Sequence, residues 1–373
     1  MTKNNSDFYI TKQTELDHVI ALIKKAKIVA LDTEFTRQTT YYPILSIIQV
    51  AVKNKLKGKE SFIIDCLCDL DLKGFFEVIA DPEIIKILHS PMQDLQIFYH
   101  KSGKIPHGII DTQIMANFCG FGFNSGYSGL VERFFDQHLN KDQQRSDWQI
   151  RPLSPKQIEY ALLDVAFLEE IYEKFYEILI AKNRLDWCFE EMRLFIQKIL
   201  ENSETNLSKN FFLKNKTAKK TQKQIYQIKN LITWRESWAK KIDIPRQHFL
   251  KDDSIIKIVF EGNFKGIKDK TPNQKMIEEI KEILDEEGSF LNYLDHEEKL
   301  FFMSSKQKNR YKTAKNLIGK IAAQENLREQ FLVTSSDLKK MIHEEKFFHQ
   351  KLTGWRYNLF GKELEEIIFD KKI

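Results

Sequence analysis

The sequence predicts an α/β domain, a mixed sheet flanked by helices, followed by all-α helical domains. Three observations lead there. Short apolar runs alternate with amphipathic stretches through the first half of the chain. A complete helix-start signal stands late in that half, at Ser154-Pro155-Lys156-Gln157. Beyond Asn206 apolar residues recur at helical spacing. At 373 residues with 42% hydrophobic side chains, the chain can build two or three compact units, each with its own core.

Taken in order, Leu16, Val19, Ile20, Leu22 and Ile23 have the spacing of one helix face. Residues 28–35 (IVALDTEF) read as a buried strand. Residues 44–52 and 62–65 read as two more strands, joined antiparallel through the lysine-rich turn 53–59. A helix over 72–79, a strand over 84–88, a helix over 92–100 and a short strand at 109–110 complete an alternating pattern. Sheets of this type bind ligands beyond the carboxyl ends of their strands.

The first strand carries the main chemical signal. Asp32 and Glu34 are two residues apart, so on a strand they project from the same face. Two carboxylates that close repel each other, and a divalent cation such as Mg²⁺ or Mn²⁺ relieves the repulsion with hard oxygen ligands. A strand end with two solvated acids is the plainer alternative. Asp94 falls in the first turn of its helix, where an acid is already favourable to the helix dipole. His89, at a strand end just before that helix, reads as a satisfied structural residue.

The helix begun at Ser154 runs through Tyr160 and Asp164. Asp164 is the only polar side chain between Ala161 and Leu168, and Tyr160 precedes it by four positions. The two therefore face one spot. A phenol and a carboxylate so placed can serve a reaction, or can simply bond to each other in a core.

Composition narrows the partners. A formal net charge of +5 permits a polyanion without requiring one. Cys66, Cys68, Cys119 and Cys188 form neither a C-x-x-C pair nor a disulfide framework, which leads us to expect reduced thiols in a cytoplasmic protein. No apolar run has membrane-spanning length. A nucleotide-binding P-loop is absent: around Gly361-Lys362, Arg356 stands at the first glycine position and Glu363 at the hydroxyl position.

Taken together, Asp-x-Glu on a core strand, Asp94 opening a helix and Tyr-x-x-x-Asp on a capped helix resemble the DEDDy branch of 3′–5′ exonucleases. More narrowly, Ser146-Asp147-Trp148-Gln149-Ile150-Arg151-Pro152-Leu153-Ser154 with Gln157, Tyr160 and Asp164 is similar to the ribonuclease D family. The resemblance implies a ribonuclease H-like sheet, two divalent metal ions (Mg²⁺ or Mn²⁺) and RNA with a single-stranded 3′ end as substrate. Asp32, Glu34 and Asp164 would hold one ion, Asp32 would bridge to the second, and Asp94 would hold the second. Tyr160 would orient the attacking water. Nucleoside 5′-monophosphates would be released from a monomeric enzyme, with transfer-RNA precursors as the implied substrates. A DNA-directed exonuclease of the same fold and a non-catalytic RNA-binding protein are the alternatives.

The expected division is an exonuclease domain over 1–205, a basic linker over 206–223, and helical domains over 224–293 and 294–373. The linker carries Lys209, Lys214, Lys216, Lys219, Lys220 and Lys223. Leu231-Ile232-Thr233-Trp234-Arg235-Glu236 and Asp243-Ile244-Pro245-Arg246 resemble an HRDC module, and the last segment, with Leu352-Thr353-Gly354-Trp355-Arg356, resembles a divergent second copy. These modules would guide RNA by basic faces or pack on the nuclease. A chain ended near Asn206 is expected to cleave short RNA in the first case and to aggregate in the second.

Overall fold

The computed structural model describes residues 8–54, 58–122, 125–201, 211, 221–264, 274–286 and 303–370. The chain packs as two compact units. The larger contains residues 1–36, 45–199 and 303–373; the smaller contains 37–44 and 200–302.

The larger unit is built on six strands: β1 (Tyr9–Ile10), β2 (Ile28–Thr36), β3 (Ile44–Asn54), β4 (Gly58–Asp65), β5 (Ile85–Leu88) and β6 (Ile109–Asp111). Their order is β1-β4-β3-β2-β5-β6. β3 and β4 form the expected antiparallel pair, while β2, β5 and β6 run parallel. The sheet is therefore mixed, as the sequence suggests. β5 pairs with β2 only from Ile28 to Ala30, so Asp32 and Glu34 project beyond the end of the parallel ladder.

Strand alternation sorts β2 between two cores. Val29 and Leu31 enter a core with Leu16 and Val19 of α1 (Gln13–Ala26), Phe75 of α2 (Lys73–Ala80) and Leu95 of α3 (Met92–Ser102). Ala30 enters the other, with Met115 of α4 (Thr112–Cys119), Leu130 of α5 (Tyr127–Phe135), Val165 of α6 (Pro155–Ala166), Phe175 of α7 (Leu168–Ala181) and Cys188 of α8 (Leu185–Glu201). By the same alternation Asp32 and Glu34 share the Ala30 side, and Thr33 the Leu31 side.

That second core continues into the C-terminal helices α13 (Ser305–Glu325), α14 (Glu329–Leu332), α15 (Ser335–His343), α16 (Glu345–Lys351), α17 (Gly354–Arg356) and α18 (Lys362–Phe369), a π-turn over Tyr357–Gly361 joining the last two. Phe118 lies edge-on to Phe331 and Trp355, with centroids 4.8 and 5.2 Å apart, and Trp355 stacks on Trp187 at 5.3 Å. Arg356 donates to the Glu191 carboxylate at 2.5 Å and to the Phe331 and Leu332 carbonyls. The Trp355 and Arg356 singled out in the sequence thus pin the segment to α8.

The smaller unit holds α9 (Gln222–Lys241), α10 (Arg246–Phe249), α11 (Asp252–Glu261) and α12 (Gln274–Asp285) around Ile228, Leu231, Ile232, Leu250, Ile255, Ile258 and Ile280. Its characteristic polar residues are internal pins. Trp234 and Trp238 both donate to Glu279 at 2.7 Å, and Arg235 bonds the Leu250 carbonyl and Asp252. Of the expected linker lysines, Lys223 stands exposed on α9; Lys209, Lys214, Lys216, Lys219 and Lys220 lie outside the described residues. Among the described residues no helix is long and apolar enough to cross a membrane.

Candidate active site

Three of the expected acids converge. Ligand atoms of Asp32, Glu34 and Asp164 all lie within 4.8 Å of one another. β2 supplies the first two by its period of two. α6 supplies the third, held by the predicted cap: Ser154 accepts from the Gln157 backbone, and the Gln157 side chain accepts from the Ser154 N–H.

Asp94 stands outside that trio but next to it in charge. It is 8% exposed, and its carboxylate accepts a hydrogen bond from the Thr33 hydroxyl. The charges acting most strongly on Asp32 are those of Asp94, Asp164 and Glu34, all of one sign. Removal from water and this repulsion push the acids upward: Asp32 well above the usual carboxylate range, Glu34 to about 9 and Asp164, mainly by burial, to about 7.

Tyr160 lies beside Asp164, one turn away on α6, and burial next to the acids pushes its phenol up, so it stays protonated. Trp148 backs its ring, with centroids 5.9 Å apart. Trp148 is itself placed by Arg151, which donates to the Trp148 carbonyl at 2.7 Å and grips Asp65 at the end of β4 through two bonds of 2.6 and 2.8 Å. Tyr9 also donates to Asp65, at 2.5 Å. The motif around Trp148 is therefore a buttress under Tyr160. Its Asp147 and Ser146 receive the amide of Gln157.

Three supporting residues had no sequence signal. Thr33 is one. Asp111 caps α4 and accepts from the Ser90 N–H at 2.9 Å, fixing the left-handed turn (Ser90 φ 57°) that launches α3 and Asp94. Tyr127 is the third; its hydroxyl contacts the backbone on either side of Asp164. His89 pairs through Nδ1 with the Thr112 hydroxyl at 2.9 Å, and burial pushes it down to about 4.

The donor set suits a divalent cation. Carboxylate oxygens alone converge, and Asp164 Oδ2 is buried with no hydrogen-bond partner among the described residues. An orphaned acceptor beside two raised carboxylates fits a hard ion.

A family model described as a 3′–5′ exonuclease matches residues 8–180. The ribonuclease D of Bartonella henselae is 30% identical, over 97% of this chain and 90% of its own length. The chain belongs to the ribonuclease D family. The ribonuclease D of Granulibacter bethesdensis is similar to the same degree, 30% over 95% and 90% of the two chains. In fold, Escherichia coli RNase D superposes with a TM-score of 0.79 at 23% identity, covering 98% of this chain and 99% of that one. The resemblance read from the sequence is borne out, and with it a 3′–5′ exoribonuclease activity of the ribonuclease D type. Exonucleases of this kind depend on metal ions.

Proposed function

We propose that this member of the ribonuclease D family shortens RNA from a single-stranded 3′ end, one nucleoside 5′-monophosphate at a time, by hydrolysis supported by two divalent ions. The observation that carries the reading is the convergence of Asp32, Glu34 and Asp164 around the partnerless Asp164 Oδ2, with the Tyr160 hydroxyl alongside. Asp32, Glu34 and Asp164 would hold one ion, with Asp32 and Asp94 serving the second. When bound, such a pair stabilises the attacking and leaving oxygens of an in-line displacement at phosphorus.

The rest falls to the side chains. Four neighbouring acids keep a phosphate from settling there without cations, which ties substrate binding to metal loading. Tyr160, held protonated, is a donor that aligns the attacking water through its hydroxyl and is too weak an acid to act as a general base at neutral pH. Water attacks the terminal phosphodiester phosphorus and gives up a proton to solvent, the bond to the preceding 3′ oxygen breaks, and that oxygen leaves with a proton from solvent. Trp148 and Arg151 hold Tyr160 in register throughout.

Two features extend the reading to structured substrates such as transfer-RNA precursors. The curated relatives are ribonucleases D along most of their length, and the E. coli protein is described as an exoribonuclease involved in structured RNA processing. The helices of the smaller unit, HRDC-like in sequence, would add phosphate contacts through lysines such as Lys223. The test incubates the purified protein with a 3′-extended structured RNA, and with matched DNA, with and without Mg²⁺ or Mn²⁺. Asp32→Ala serves as the inactive control. Stepwise monophosphate release from RNA, lost without metal and in the variant, is expected; equal cleavage of DNA, or cleavage by Asp32→Ala, would overturn the reading.

A further inference from the structure

α6 and α7 are one helical run interrupted at a single residue. α6 ends at Ala166, Phe167 leaves helical geometry (φ −116°, ψ 2°), and α7 starts at Leu168. In an unbroken helix the Phe167 N–H would donate to the carbonyl four residues earlier, Leu163. Here the Tyr127 hydroxyl occupies that rung. It donates to the Leu163 carbonyl at 2.8 Å and accepts from the Phe167 N–H at 3.0 Å. A side chain inserted into the hydrogen-bond ladder is a recognised cause of a helix kink. The opened rung spans Asp164, Val165 and Ala166, with Asp164 directly after Leu163.

Tyr127 comes from α5, distant in sequence, and its ring is fixed beside His89 with centroids 6.0 Å apart. The hydroxyl is part-buried and within electrostatic reach of Asp164 and Asp32, yet both its bonds go to backbone. Neither of its hydrogen bonds goes to an acid. Its one evident effect is on the path of the helix that presents Asp164.

We infer that Tyr127 is a positioning residue: its hydroxyl, wedged between Leu163 and Phe167, sets the α6/α7 break and so aims the Asp164 carboxylate at Asp32 and Glu34. The inference rests on Asp164 being a metal ligand. Tyr127→Phe removes the wedge while keeping the ring, and the freed Leu163 carbonyl and Phe167 N–H can bond directly. The helix then straightens through its break and Asp164 turns from the cluster. Because the two backbone groups satisfy each other, the fold survives.

The experiment uses the full chain and reads Mn²⁺ binding directly, from loss of the free-ion paramagnetic resonance signal, alongside thermal melting without metal and steady-state kinetics. Tyr127→Phe is expected to melt within a few degrees of the parent, to bind Mn²⁺ about 10-fold more weakly, as for loss of an outer-sphere support, and to need correspondingly more Mn²⁺ for half-maximal activity, with KM for RNA unchanged once Mn²⁺ is saturating. Asp164→Ala is the reference. If the parent binds Mn²⁺ and Asp164→Ala does not, while Tyr127→Phe binds like the parent, the positioning role is overturned and the metal reading stands. If Asp164→Ala binds Mn²⁺ like the parent, Asp164 is no ligand, and both fall. A large loss of melting temperature in Tyr127→Phe with unchanged Mn²⁺ affinity assigns the hydroxyl to stability alone and also overturns the inference.

Discussion

Thr33, lying between the two strand acids, gives its hydroxyl proton to Asp94. Because a strand alternates, the residue between Asp32 and Glu34 faces away from them, toward α3. One strand thus serves both sides of the site, presenting two carboxylates on one face and anchoring a third acid from the other.

Replacing Thr33 with valine keeps the shape and removes the anchor. A buried hydrogen bond to an acid contributes about 1–3 kcal/mol, so a modest loss of melting temperature is expected, with activity reduced about 10-fold or more as Asp94 loses its fixed direction. Kinetics at saturating metal, set beside a melting curve, check this. Unchanged kcat would show that Asp94 is aimed without Thr33.

Tyr160→Phe removes only the hydroxyl and leaves the ring on Trp148. Turnover is expected to fall about 10²-fold, typical for a positioned catalytic group, while calorimetry shows unchanged metal affinity. A collapse of metal affinity would instead make Tyr160 a support for Asp164.

The raised acids make the metal-free protein sensitive to alkali. An unfolded carboxylate ionises near pH 4, whereas Asp164 and Glu34 in the fold ionise at about 7 and about 9. Between those limits the unfolded chain holds fewer protons, so stability is lost as pH rises and is best preserved below about pH 4 as far as these groups are concerned. Melting without metal is expected to show lower transition temperatures at pH 8 than at pH 5.5. Glu34→Gln should flatten that slope, and Mg²⁺ or Mn²⁺ should stabilise most at the alkaline end, where metal displaces fewest protons.

Ending the chain after residue 205 removes Phe331, Leu338, Phe348, Trp355 and Leu364 from a core they share with Phe118 and Phe175. The remaining nuclease would expose a contiguous apolar face. Light scattering should show association of the truncated protein. A soluble monomer with parental activity would mean that this face reseals without the C-terminal helices.

What the sequence made legible follows local rules. Asp32 with Glu34 is a period-two statement, Tyr160 with Asp164 an i, i+4 statement, and the Ser154 cap a four-residue signal, all realised as written. Asp94 gained its meaning only from family resemblance, since an acid in a first helical turn is otherwise unremarkable. Thr33 and Tyr127 were silent because their partners lie 61 and 36 or more residues away. β1, two residues long, is too short to leave a pattern. The apolar spacing of the C-terminal helices showed that faces were buried, and could not say that α4 and α8 would cover them.

The order in which the larger unit is written along the chain also bears on its synthesis. Its strands and acids emerge first, then the excursion over 200–302, and only afterwards the helices from residue 303 that close its second core. Chains fold from the N-terminus as they are made. The nuclease core is therefore left open on the ribosome until the helices from residue 303 have emerged, so a product stalled before them carries all four acids and lacks the finished scaffold that would aim them at cellular RNA.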